Sequence, residues 1–348
     1  MQGALSGAAG VADASGLTDV TITDSGEVDL ASVAITGALS NTSALTGRFD
    51  VAGATTAGSI DISTESGNLI GFTGAVNTTG TTVVDAGGGD AVASFGSDVT
   101  ATGGLNVTGS NISIAGPVEA GAMVFTANGT LGLNSTVTGT AGLSYDNDGL
   151  ATFASTVSLA GNFTQTGGTG STQVGGNITT GNGNLAVLNP LLTTAGIEIS
   201  TGTGQQNYGG TVTLGGATTF TATGDGAGTD GVTFGGAVDG SGAIVFRSAA
   251  DSDAYQIGDS LDTTTNVLLD NASLGFLDDG FASITFGYAT GNAALEIGAV
   301  TLTDVATFQS GTGTVTITDA LSITDGADAV QANLAFANAV AITNGGSV

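Results

Sequence analysis

The chain of 348 residues has no cysteine, histidine, tryptophan or lysine, and its only basic residues are Arg48 and Arg247. Without cysteine it has no disulfide and no thiolate to act as nucleophile or metal ligand. Without histidine and lysine it lacks the usual general base and the amine for Schiff-base chemistry. Thirty acidic residues against two arginines leave a formal charge of −28. That excludes nucleic acid, which needs a positive footprint, and anionic membrane surfaces for the same reason. Proline occurs twice, at Pro117 and Pro190, which suits a chain whose N–H groups are needed in ladders. Aromatics are 5%, so the expected core is thin and built from Ala, Val, Ile and Leu. No apolar run reaches membrane-spanning length. The start, residues 1–7, has neither a basic region nor a long apolar run and does not read as a secretion signal.

What is abundant is glycine, 61 residues, set in a pattern that returns about every twenty positions. It reads as an apolar residue, three small or polar ones, an apolar residue, a glycine-bearing turn, then an apolar–x–apolar pair. Copies start at Phe72, Phe95, Ile114, Leu133, Phe153, Val174, Tyr208, Phe234, Ile317 and Phe336. The pairs include Leu105/Val107, Leu143/Tyr145, Leu185/Val187 and Ile244/Phe246. Residues of like parity in an extended chain share a side. Glycine, Asn or Asp between the halves tolerates the positive φ of tight corners. Each copy therefore reads as two or three short strands with sharp bends.

A period of this length is the signature of a solenoid. One copy alone buries about four or five apolar side chains at roughly 1.5–3 kcal/mol each. Ordering about twenty residues costs on the order of 30 kcal/mol. Only stacking on neighbouring copies closes that gap. The expected fold is all-β: a parallel β-helix (β-solenoid) of about 20 residues per rung, about seventeen rungs, forming an elongated rod of roughly 80 Å. The alternatives are a β-sandwich, which lacks a steady period, and a disordered linker, which 41% hydrophobic residues placed periodically argue against. We expect one solenoid over residues 1–348, with an irregular or enlarged rung at about 239–300. Residues 271–280 read as one helical turn. The chain starts and stops in mid-pattern without capping helices, so the expectation is a segment of a longer protein, or a subunit stacking end to end.

Two stretches carry a resemblance: 204–221 (GQQNYGGTVTLGGATTFT), and 278–287 (DDGFASITFG) followed by 297–303 (IGAVTLT). They are similar to units in the repeat regions of large bacterial surface proteins of the filamentous haemagglutinin and autotransporter-adhesin kind. The resemblance implies a right-handed coil, export to the cell surface, and a role in adhesion or fibre building. It carries no catalytic residues to transfer, and the secretion domain expected before such a β-helix is missing. The lack of cysteine suits an exported protein held by backbone ladders.

Several residue sets are candidate sites. Polysaccharide lyases need a cationic base or a charge-neutralising cluster, and Arg48 and Arg247 lie about two hundred residues apart. Paired carboxylates for glycoside hydrolysis are Asp251 with Asp253, Asp278 with Asp279, and Asp146 with Asp148; they read as solvated loop acids. Asp146–Gly149 and Asp225–Asp230 place oxygen ligands beside glycine turns but match no full calcium-loop spacing. Calcium is instead expected to gather diffusely on surface carboxylates. Threonine pairs 211/213, 301/303 and 314/316 resemble ice-binding ladders but recur irregularly. Asn-x-Ser/Thr sites stand at Asn41, Asn77, Asn106, Asn111, Asn128, Asn134, Asn162, Asn177 and Asn271; several arise by chance in so Thr-rich a chain. No catalytic, cofactor-binding or metal-ligating residue is assigned. The expected function is a non-enzymatic, extracellular or cell-surface fibre segment that associates with itself. The alternative is an adhesin module that recognises a glycan or host receptor through loops at 239–300.

Overall fold

A computed structural model describes residues 2–6, 9–24, 26–223, 231–258, 266–324, 334–336 and 340–342. The chain is all-β, with parallel strands stacked as a β-solenoid of about 14 turns at about 21 residues per turn. Among the described residues the turns number about 14 rather than seventeen, and some coils are longer than the repeat. The offset between paired strands rises from 19 residues at Val99↔Val118 to 26 at Gln206↔Val232 and 40 at Ala243↔Ser283. The residues group into two compact units, Met1–Thr172 and Gln173–Val348.

In the first unit a coil has three strands, for example Leu69–Phe72, Val76–Thr78 and Thr81–Asp85. Each pairs in parallel with its counterpart one coil on: Phe72↔Phe95, Val76↔Val99 and Val84↔Val107. The three-residue strands bury their first and last residues and expose the middle one, as in Val76–Thr78. The repeated five-residue motif is not a strand. Phe72 ends one strand, Val76 begins the next, and Thr73-Gly74-Ala75 is the corner between them. Both apolar ends still point inward, because the bend turns the second strand to face the same axis. Phe72, Phe95, Phe153, Tyr208 and Phe234 are all buried core residues.

Glycine serves two purposes at these corners. Gly104 opens its strand at φ 127, a conformation that side chains avoid. Gly74 needs no such angle. A Cβ there would lie 2.4 Å from the carbonyl carbon of Gly53, one coil below. Gly74 is required by stacking height, a reason that appears only when coils are superposed.

Aromatic side chains form columns along the stack. In the first unit Phe49, Phe72 and Phe95 lie 5.7 and 5.3 Å apart, centroid to centroid. In the second, Phe220, Phe246, Phe286, Phe308 and Phe336 follow at 5.3, 5.6, 5.2 and 5.7 Å. Strand spacing sets these distances; Phe49 and Phe72 are tilted by 56°, and the other pairs are near-parallel and stacked. Some polar side chains inside the coil bond one another and the main chain. Asn147 is fully buried; its Nδ2 donates to the carbonyls of Gly149 and Ser171 at 2.6 and 3.2 Å, and its Oδ1 accepts from Gln165 Nε2 at 2.9 Å.

In the second unit the coil that follows Ala243–Arg247 is enlarged. It holds Tyr255–Ile257 and Asn266–Leu269, which pair with each other in parallel, and the helical turn Asn271–Leu274. Asp270 caps that turn by accepting Ser273 N–H at 2.7 Å. Residues 276–278 then take a ladder place on Val238, with Val238 N–H donating to Phe276 O and Asp278 N–H to Val238 O. The chain rejoins the stack at Ser283–Tyr288. Among the described residues no helix is long and apolar enough to cross a membrane.

Candidate functional site

Much of the polar chemistry singled out in the sequence is engaged in stacking. Several Asn and Asp residues use their Oδ1 atoms to accept a main-chain N–H group one coil away, 19–22 residues later. Asp19 takes Ala38 N–H at 2.8 Å, Asn41 takes Ser63 N–H at 2.9 Å, and Asn111 takes Thr130 N–H at 3.1 Å. Asn177, Asn182 and Asn184 do the same for Glu198, Thr203 and Gln205 in the second unit. Three of the glycan-acceptor sites and the flanks of the 182–184 turn are therefore coil-to-coil stitches. Sequence reasoning missed this, because each acceptor and its N–H partner lie 19–22 residues apart and only the register of the coils brings them together.

The first calcium candidate, Asp146–Gly149, is also built into the stack. Asn147 turns inward, and Asp148 Oδ1 accepts Thr169 N–H at 3.2 Å. The second, Asp225–Asp230, lies outside the described residues. Among the described residues no three His, Cys, Asp or Glu side chains are grouped to hold a metal ion. The threonine pairs do not form a column. Thr213 stacks between Leu192 and Asp239, Thr301 on Ser322, and Thr316 on Glu296. Asp278 is exposed and Asp279 half-buried at the corner entering the 283–288 strand. They sit apart from Asp251 and Asp253 in the chain path and join a different corner, where Asp304 Oδ1 accepts Gly280 N–H at 3.0 Å.

Both arginines are paired. Arg48 binds Glu27 at 2.5 Å and Asp29 at 2.7 Å. Asp29 and Asp50 are in register on adjacent strands, so the arginine relieves a stack of like charges. The adjacent Asp29 carboxylate holds the guanidinium pKa above its ordinary value.

Arg247 has richer surroundings. It ends the strand Ala243–Arg247, on a face where successive coils present Glu198, Thr221 and Tyr288. Its Nη2 donates to Glu198 Oε1 at 2.6 Å and its Nε to Thr221 Oγ1 at 3.0 Å. The Thr221 hydroxyl donates to the same carboxylate oxygen at 2.9 Å. The guanidinium carbon sits 5.2 Å from the centroid of the Tyr288 ring, within cation–π range. Tyr288 is held by its own hydroxyl, which donates to Ser248 O at 2.6 Å. Its pKa is raised, chiefly by burial and also by Glu198, Asp251 and Asp253, with Arg247 acting the other way. Of the three carboxylate pairs, only Asp251 and Asp253 act on Tyr288, through their charge; the ion-pair partner of Arg247 is Glu198.

The chain matches no protein-family model, and neither a search of curated proteins nor one of solved structures finds a match.

Proposed function

We propose that this solenoid is a structural, non-enzymatic segment of an extracellular or cell-surface fibre, comparable in role to the repeat regions of filamentous haemagglutinin-like and autotransporter-adhesin-like proteins. The observation that supports this best is where the side chains are invested. Aromatics form interior columns, and corner Asn and Asp residues bind the main chain of the next coil. Such a ladder gains stability from each added coil and resists local opening. A parallel main-chain edge also accepts a further strand in the same register, so a second copy is the expected partner. A heterologous contact of that kind propagates as a filament. With a charge of −28, lateral association is opposed at low ionic strength and favoured once salt or calcium screens the carboxylates.

Electron microscopy of the purified chain over a range of concentrations tests this, with light scattering against added calcium. Filaments that lengthen with concentration are expected, with calcium-dependent bundling. A species that stays monomeric in sedimentation at every concentration would overturn the fibre reading. Scattering indifferent to calcium would remove the bridging part.

A second reading is favoured by one specific feature. The Arg247 cluster gathers an aromatic ring, a guanidinium and the Glu198 carboxylate where the enlarged coil within 239–300 leaves and rejoins the stack. That combination suits an adhesin module whose ligand is a glycan or a host receptor.

A further inference from the structure

We infer that the outer face of the sheet formed by Thr81–Asp85, Gly104–Gly109, Met123–Ala127, Leu143–Asn147 and Phe163–Gly167 docks on the same face of a second copy, joining solenoids side by side; this rests on the fibre reading and gives lateral association a place. Two observations converge there. The first is charge. Residues 99–197 hold three of the thirty acidic residues, Glu119, Asp146 and Asp148, and no basic one. Glu119 belongs to another sheet, on the strand Val118–Ala120. The second is exposure. Among the described residues the exposed large apolar side chains are Val124, Leu150, Leu188 and Leu192, and all four fall in that stretch. Val124, 41% exposed, is the one on the central strand of this face.

The middle outward residues stand in register across the five strands: Val83, Asn106, Val124, Ser144 and Thr164. None is charged. The carboxylates of this face lie at its margins, with Asp61 one strand before Val83, and Asp85 and Asp146 in the next outward column. Val124 stands between two hollows. One, of about 190 Å³, is lined by Val83, Gly104 and Asn106. The other, of about 290 Å³, is lined by Gly142, Ser144 and Thr164. Ala122 and Val124 border both. Gly104 leaves empty the place that Thr81, its partner in register, fills on the preceding strand.

A knob with a hollow on each side is complementary to itself. Across a two-fold axis, Val124 of each copy enters a hollow of the other. The corrugation matches as well, because both copies repeat at one strand spacing, about 4.8 Å. Ladders of small uncharged side chains at that spacing interdigitate and exclude water. A cationic partner would be drawn to the carboxylates elsewhere on the chain. A copy that itself carries −28 is repelled there and comes close only where acids are few. Five strands at about 4.8 Å by five residues at about 3.3 Å make a patch of roughly 400 Å². A stable complex buries about 800 Å² per partner. One pair of faces is therefore weak alone, and copies joined end to end hold together through many such faces at once.

The test is sedimentation velocity on the full chain against concentration in about 0.5 M salt, where charges are screened beyond about 4 Å. Cross-linking of single-cysteine variants accompanies it, since the chain has no cysteine of its own. Wild type should associate reversibly. Val124→Asp should raise the dissociation constant at least about tenfold. Thr138→Asp, at the exposed centre of the strand Val137–Gly139 in another sheet, should leave it unchanged. Val124→Cys should cross-link with a thiol reagent spanning about 10 Å, the separation of packed sheets, and Thr138→Cys should not. If Val124→Asp unfolds, the cysteine pair decides alone. Association unaltered by Val124→Asp, or equal cross-linking of both cysteine variants, overturns this surface. Filaments that stay single at high salt in electron micrographs overturn it and leave the fibre reading in place. Side-by-side pairs without filaments support it and overturn the fibre reading. A chain that is monomeric at every concentration overturns both.

Discussion

Phe286→Ala is the sharpest probe of how this fold is held. Phe286 is fully buried and stacks on Phe246 at 5.6 Å and on Phe308 at 5.2 Å. Those rings belong to the strands paired directly with its own. Truncating a buried Phe to Ala costs about 3–5 kcal/mol, of which each lost ring pair accounts for about 0.5–1.5 kcal/mol. In a stack where each coil leans only on its neighbours, the loss stays local. At about 1.4 kcal/mol per factor of ten, amide exchange in Ser283–Tyr288 should accelerate by roughly two to four powers of ten. The partner strands Ala243–Arg247 and Ala306–Ser310 should follow, while Leu185–Val187 keeps its protection. Phe286→Leu, which retains most of the volume, should cost only about 1 kcal/mol and shift exchange by less than about tenfold. Hydrogen–deuterium exchange read by mass spectrometry checks all of this. Equal acceleration in Leu185–Val187 would refute the nearest-neighbour account, and unchanged exchange at 283–288 would refute the importance of the aromatic column.

Other consequences are equally concrete. Asn147→Ala removes three interior hydrogen bonds and strands buried partners; it should cost about 2–4 kcal/mol, seen as a lowered thermal midpoint. Gly74→Val puts a side chain into the main chain of Gly53 and should disrupt coils around residues 49–78, detectable by limited proteolysis cutting there first. Burial holds the phenols of Tyr145, Tyr208 and Tyr255 protonated, raising each pKa above the ordinary 10.0. The stability tied to the neutral phenols is therefore complete below pH about 10 and is lost as pH climbs above it, because only the unfolded chain then releases protons. Tyrosinate absorbance should rise together with loss of the β circular dichroism signal; full ionisation near pH 10 with the fold intact would contradict the burial.

How much was readable follows from the range over which each feature is encoded. The coil is local: Phe72 and Val76 declare their inward direction through their spacing within five residues, and each copy repeats it. Parallel β-solenoid architecture and the buried ring positions were therefore legible before any coordinates. The corner nature of that motif was not, since a strand and a bend separated by an even number of residues leave the same parity. Gly74 read only as one of three small residues inside the motif and proved to be a clearance residue at a corner. Asn147, which looked like part of a calcium loop, faces inward and bonds Gln165.

The amino-acid sequence by itself determined the period, the all-β class and the identity of the core, because each copy carries its own side-chain alternation. Only the tertiary structure decided which copies touch. Arg247 reaches Glu198 across 49 residues, and Tyr288 joins them across a 40-residue coil. Coil lengths that vary, among the described residues, from 17 at Gln2↔Asp19 to 40 at Ala243↔Ser283 set the register of distant side chains. No spacing rule within a single repeat contains that sum.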